Sequence, residues 1–209
     1  GLNIQVPDSA VILQPKSISG LIDPKSDLLF ALDAPIAAPP MKNLVAKGKK
    51  VAILHTDITR ATPNRLILPV LLNYLLNHGV APEDIVLING LGTHRRQTQE
   101  EMVQLLGEDI LKRFRCLQHD CREQENLTFV GESSYGHPVW INTAVVEADL
   151  RIQTGFIEPH FFAGFSGGPK AIMPGTAGLQ TIQDNHGYEM IADPQATFGI
   201  TEGNPVWME

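Results

Sequence analysis

The segment VAILHTD at 51–57 is apolar until its last positions turn polar. That pattern predicts a buried parallel strand that delivers side chains at its carboxyl end. Pro63, as a first helical residue, opens NRLILPVLLNYLLNHGV, where Leu66, Val70, Tyr74 and Leu75 lie about one turn apart and predict a helix kinked at Pro69. A second strand is expected over Ile85–Asn89, leading into GLGTHRRQTQEEM. There Thr98 followed three residues later by Glu101 reads as a capping box. The charged helix that follows leads to short elements around 108–130. A further strand, Ala148 to Thr154, runs straight into a glycine-rich loop, and Thr181 to Met190 reads as helical.

Strands alternating with helices predict an α/β fold with a mostly parallel sheet flanked by helices, Rossmann-like in plan. Three strand ends then carry polar tips: Thr56-Asp57 with Arg60, Thr93-His94-Arg95, and Glu158 with His160. In an open α/β sheet these tips share one edge and can meet in one crevice.

Residues 1–45 are proline-rich, with a short strand expected at Leu2 to Val6 and a helix near Pro24–Leu32. They read as a segment packing on the domain, which itself spans 46–209. Gly1 in place of Met suggests a processed start. Asn204-Pro205 has the form of a helix start that stops after one turn. The expectation is the N-terminal portion of a longer protein.

Composition narrows the function. With 209 residues, 43% hydrophobic and 19% charged, the chain is of ordinary globular character. A net charge of −7 speaks against nucleic acid as a partner, since no basic face is available to displace counterions. The apolar run LILPVLL at 66–72 is far too short to span a bilayer. No basic stretch followed by an apolar run precedes Val51, so a cytoplasmic location is expected. Cys116 and Cys121 are read as two free thiols, their spacing being a weak metal signal.

The chemistry concentrates in FIEPHFFAGFSGGPKAIMPG at 156–175 and in the DNH ending at His186. Together these hold two histidines, one lysine and five glycines in thirty-one residues. Neither the phosphate-loop nor the dinucleotide glycine pattern is met. Lys170 is either a phosphate-binding cation or an amine available for covalent chemistry. Phe161, Phe162 and Phe165 are expected to wall the loop and exclude water. His160, flanked by Pro159 and Phe161, should be partly desolvated and therefore neutral, which suits a general base. His94 follows Gly90-Leu91-Gly92 on the predicted crevice edge. His186 could ligate a metal, but one imidazole alone cannot hold a divalent ion. His55, His78, His119 and His137 have weaker context, His78 reading as a helix C-terminal cation. Asp57 and Arg60 are either a capping pair or a pair in which Arg60 forks onto a carboxylate while Asp57 bonds a hydroxyl-bearing ligand.

The segments HTDITRATP, GLGTHRRQTQEEM, EADLRIQTGFIEPHFFAGFSGGPKAIMPG and TIQDNH, in this order and spacing, resemble the nickel-dependent lactate racemase family from about Val51 to Asn204. The resemblance implies a racemase or epimerase acting on a 2-hydroxy acid with a nickel-pincer nucleotide covalently linked to a lysine. It makes Lys170 the tether, His186 the metal ligand, and His94 and His160 the acid/base pair. Arg60 would orient the substrate, Asp57 would contact the cofactor, and Ser166, Gly167 and Gly168 would line the nucleotide. Cofactor-synthesis enzymes are then expected partners. The chain departs from the family in having Pro169 before Lys170 and in lacking the family's second domain, so by itself it is expected to be inactive. Two other readings use the same residues. One is a non-catalytic domain that binds a small carboxylate or a nucleotide. The other is a phosphate-binding α/β enzyme with Lys170 as a point charge.

Overall fold

A computed structural model describes residues 3–14 and 16–209. Its elements run α1 (Pro24–Asp33), β1 (Val51–His55), α2 (Asn64–Asn77), β2 (Ile85–Asn89), α3 (Gln99–Leu106), α4 (Glu108–Arg113) and β3 (Arg115–Gln118). They continue with β4 (Leu127–Glu132), β5 (Pro138–Asn142), α5 (Thr143–Val146), β6 (Leu150–Gln153), β7 (Pro159–His160) and β8 (Gly164–Phe165). The last three are α6 (Leu179–Asn185), α7 (Tyr188–Ile191) and α8 (Pro205–Met208).

The main sheet has the order β3-β2-β1-β6, and every pairing in it is parallel. The chain steps outward from β1 to β3, then returns through the antiparallel β4–β5 hairpin and α5 to place β6 on the other side of β1. The direction of travel therefore reverses beside β1, which is where open α/β sheets form a ligand crevice.

Side chains alternating across β1 divide the core in two. Val51 and Ile53 face α2, α3 and α4, packing with Leu68, Leu71, Leu105 and Ile110. Ala52 and Leu54 face the other way onto Val145 of α5, Ala177 and Ile182 of α6. Residues 51–54 are fully buried. Each large aliphatic side chain so buried contributes roughly 1.5–3 kcal/mol. That offsets the cost, about 1–3 kcal/mol, of an unsatisfied polar group at the strand tip.

The structure departs from several sequence expectations. β1 ends at His55, and β6 is shorter than the expected strand because Ala148 and Asp149 lie before the pairing begins. Leu2 lies outside the described residues, and Asn3 to Val6 belong to no strand. The described residues from 3 to 23 are exposed, while Leu32, Met41 and Val45 pack against the first core face and Asp33 accepts a hydrogen bond from Tyr74 at 2.8 Å. In α2, Pro69 sits inside the helix, and the buried side chains include Leu68, Leu71, Leu72, Tyr74 and Leu75, so Tyr74 and Leu75 of the expected set are buried while Leu66 and Val70 are only partly so. The leucine-rich sequence supplies two apolar stripes, and packing against β1 and α3 selects the buried one. The helix expected over 181–190 is two helices. They break where Gly187, in extended backbone, approaches so closely that a Cβ would lie 3.0 Å from the Asp184 carbonyl. The Thr98–Glu101 capping box forms. Cys116 and Cys121 are free thiols.

Candidate active site

The tips of β1, β2 and β6 are stitched together along one edge. Gly90 N donates to His55 O at 2.9 Å, and Thr154 N donates to Leu54 O at 2.9 Å. The glycine-rich loop folds back over this edge, with Gly92 N donating to Gly175 O at 3.0 Å. Beneath it lies a cleft of about 260 Å³ lined by Asp57, Arg60, His94, His160, Lys170 and His186, together with His55, Thr56, Ser166 and Gly167. The three polar tips thus converge, although Arg95 leaves the group and pairs with Glu101 at 2.7 Å.

The order of this region depends on glycine at Gly164. Its φ is +73°, and a Cβ there would sit 2.1 Å from the Ile200 carbonyl oxygen. Only glycine allows the β7–β8 turn to close against that backbone.

Asp57 holds His94. One carboxylate oxygen bonds His94 Nδ1, and the other accepts from Thr59 N at 2.9 Å and Thr59 Oγ1 at 2.6 Å. Burial raises the Asp57 pKa, and the hydrogen bonds from His94 and Thr59 outweigh it, so the net shift is downward. An ionised carboxylate can only accept, so neutral His94 carries its proton on Nδ1 and keeps a lone pair on Nε2. Both Asp57 oxygens are thereby engaged with the chain itself. Arg60 Nη1 donates to Glu158 Oε1 at 2.9 Å, so the guanidinium already holds a carboxylate.

His160 is set differently. Ala163 N donates to its Nδ1 at 3.3 Å, which places the neutral ring's proton on Nε2. Desolvation, with the charges of Lys170 and Arg60, lowers its pKa to about 4, as the sequence reading required of a neutral imidazole. His186 caps α6, with Nδ1 2.8 Å from Asn185 Oδ1. Desolvation and then Lys170 lower its pKa to about 4 as well. Lys170 lies in a 3-10 turn, Gly168–Ala171, and has no ion-pair partner among the described residues. Burial and then Arg60 push its pKa down to about 8.

One aromatic ring organises these groups. Phe162 meets His160 edge-on at 4.7 Å and His186 edge-on at 5.0 Å, with Lys170 Nζ 5.9 Å from its centre. Phe161, expected to share the wall, is 85% exposed and faces Phe198 instead.

Of the other expected residues, Gly167 lines the cleft and Ser166 does so with its hydroxyl already committed, donating to Phe156 O at 2.7 Å. Gly168 does not line it. With φ at +52° it starts the 3-10 turn, and its Cα side faces the Trp207 ring. His78 caps α2, His119 bonds Ala177 O at 2.9 Å, and His137 bonds Glu209 at 2.7 Å, all outside the cleft. His55 is a cleft residue that the sequence reading set aside. Its signal was its place as the last residue of an apolar strand. Desolvation lowers its pKa to about 4, and its Nε2, like Thr56 Oγ1, has no partner among the described residues.

The chain matches the family described as the lactate racemase N-terminal domain over residues 1–199. It is 38% identical to the lactate racemase of Thermoanaerobacterium thermosaccharolyticum over 98% of this chain and 49% of that protein. It is 39% identical to the lactate racemase of Lactiplantibacillus plantarum over 84% of this chain and 41% of that protein. The solved lactate racemase apoprotein from T. thermosaccharolyticum superposes with a TM-score of 0.82 at 40% identity, covering 88% of this chain and 44% of that one. The chain spans about half the length of the curated relatives it matches.

Proposed function

The chain belongs to the lactate racemase N-terminal domain family, and on that premise we propose that it is the cofactor-bearing domain of a racemase or epimerase of lactate-like 2-hydroxy acids. The observation that carries this reading is the gathering of Lys170, His186, His94 and His160 in one cleft.

The residues fit a nickel-pincer nucleotide joined to Lys170. Among the described residues no three histidine, cysteine, aspartate or glutamate side chains are grouped to hold a metal. His186 would therefore hold nickel only together with donors of the bound group, as a pincer ligand would supply. Lys170, with a pKa near 8, has roughly one amine in ten neutral at pH 7 and so available for bond formation. The unpartnered His55 Nε2 and Thr56 Oγ1 supply polar atoms for a ligand to satisfy.

When bound, such a group would supply a hydride acceptor for C2 of the substrate. The chain supplies the rest. Arg60 exchanges Glu158 for the substrate carboxylate, a bidentate match for its guanidinium. His94 takes the hydroxyl proton at Nε2, and Asp57 stabilises the imidazolium that results. His160 presents an N–H from the other side to the same oxygen. For the opposite enantiomer His160 would take the hydroxyl proton at Nε2, which requires the tautomer that carries the ring proton on Nδ1 and gives up the Ala163 contact. The Ala163 contact at 3.3 Å is long for an N–H donor and costs little to give up. Phe162 keeps water from this exchange. We place the intact protein in the cytoplasm, with cofactor-synthesis enzymes as partners. No helix among the described residues is long and apolar enough to cross a membrane.

The test is chiral analysis of L-lactate incubated with the intact, cofactor-loaded protein. Formation of D-lactate, reduced roughly 10²- to 10⁴-fold in His94→Ala and in His160→Ala, is expected. Binding of lactate without any inversion would leave only a non-catalytic carboxylate-binding domain.

A further inference from the structure

Asn185, the last residue of α6, is 1% exposed and its amide has no freedom to flip. Its Nδ2 donates to the Val206 carbonyl at 3.2 Å and to Glu209 Oε2 at 2.8 Å, and both of these partners can only accept. Glu209 is itself fixed, its Oε1 accepting from Ser133 Oγ at 2.5 Å and bonding His137 Nδ1 at 2.7 Å. With the nitrogen turned to α8, the amide oxygen is left facing His186 Nδ1 at 2.8 Å. That oxygen is an acceptor, so the proton between them belongs to the imidazole.

We propose that Asn185 is a positioning residue: pinned by Val206 and Glu209, its amide fixes the tautomer and orientation of His186 so that Nε2 is left with a free lone pair for a ligand of the cleft. This rests on the reading of His186 as a donor to a bound metal, but the tautomer itself does not depend on any metal. It also gives α8 a task. Asn204 caps this helix by accepting from Val206 N and Trp207 N, and the helix in turn holds the Val206 carbonyl and Glu209 where Asn185 needs them. Outer-sphere acceptors of this kind orient metal-ligating histidines, and their loss typically weakens metal binding about 10- to 100-fold.

A plain structural role, tying α6 to α8, would lower stability on mutation without touching the ring. The two are separated by long-range proton–nitrogen NMR of the intact, unloaded protein labelled with ¹⁵N-histidine, with His186 assigned from His186→Gln. The wild type should show His186 protonated on Nδ1 and bare on Nε2. Asn185→Ala should move the proton to Nε2, whereas Asn185→Asp, which keeps an oxygen acceptor, should retain the Nδ1 tautomer. A wild-type ring protonated on Nε2 overturns the proposal, and that spectrum decides even if Asn185→Ala does not fold. So does an Asn185→Ala ring still protonated on Nδ1. In the loaded protein, Asn185→Ala should lose nickel about 10- to 100-fold more readily while Lys170 stays modified. An unmodified Lys170 in the wild type would count against the cofactor reading and leave the tautomer result standing.

Discussion

The Asp57 carboxylate bonds His94 Nδ1 across a separation of 37 residues, joining the loop after β1 to the loop after β2. The partner of the imidazole is itself held by Thr59 on its other oxygen, so the pair is built before any substrate arrives. It follows that Asp57→Asn should act through His94. An amide can rotate its NH₂ toward Nδ1, which would put the lone pair on the wrong nitrogen. Racemisation by the intact protein is expected to fall roughly 10²- to 10⁴-fold in kcat, with a smaller change in KM. The same kinetics in His94→Ala should add little further loss once Asp57 is changed.

On the proposed reading, in which Arg60 takes the substrate carboxylate, Glu158 would compete with the substrate for that guanidinium. The pair is partly exposed, with side chains 36% and 41% accessible, so its strength is at most about 1 kcal/mol. Glu158→Gln should therefore lower the KM for the hydroxy acid by no more than about fivefold, with kcat little changed. A rise in KM would show that Glu158 helps hold the substrate instead.

Stability should decline in acid over a defined window. His55, His160 and His186 all have folded pKa values near 4, below the ordinary 6.5, chiefly through burial. Between those values the unfolded chain binds protons that the folded chain refuses, so stability falls as pH falls from 6.5 towards 4. Above 6.5 these groups are neutral in both states and contribute no slope. Urea unfolding across this range should show the decline, and His55→Asn should reduce its slope by about one bound proton.

Gly164→Ala should be among the most damaging single changes in the chain. A Cβ 2.1 Å from the Ile200 oxygen, on backbone at φ +73°, cannot be relieved by a side-chain rotation. A loss of roughly 3 kcal/mol or more is expected. In thermal unfolding that is a Tm lower by on the order of 10 °C.

What the sequence disclosed and what it withheld have separate physical causes. β1, β2 and the capped α3 were legible because apolar runs and the Thr98–Glu101 spacing are local signals. The family motifs pointed to Lys170, His186, His94 and His160, and the strand-tip argument brought three loops to one edge. Pairings between distant residues were not legible. Arg60 and Glu158 are 98 positions apart, and Asn185 meets Glu209 only because the end of α6 lies beside α8. The choice of Phe162 over Phe161, the buried stripe of α2 and the break at Gly187 depend on which neighbour each element meets. Gly168 was drawn into the site by its place beside Gly167, yet its backbone turns it towards Trp207.

The central claim is that this cleft carries a nickel-bearing nucleotide on Lys170. The most direct measurement is peptide mapping by mass spectrometry of the intact protein after co-expression with cofactor-synthesis enzymes, alongside nickel analysis. A nucleotide-sized mass added to the peptide containing Lys170, with bound nickel that is lost in His186→Ala, is the predicted result. An unmodified Lys170, under conditions that load a known lactate racemase, would contradict it.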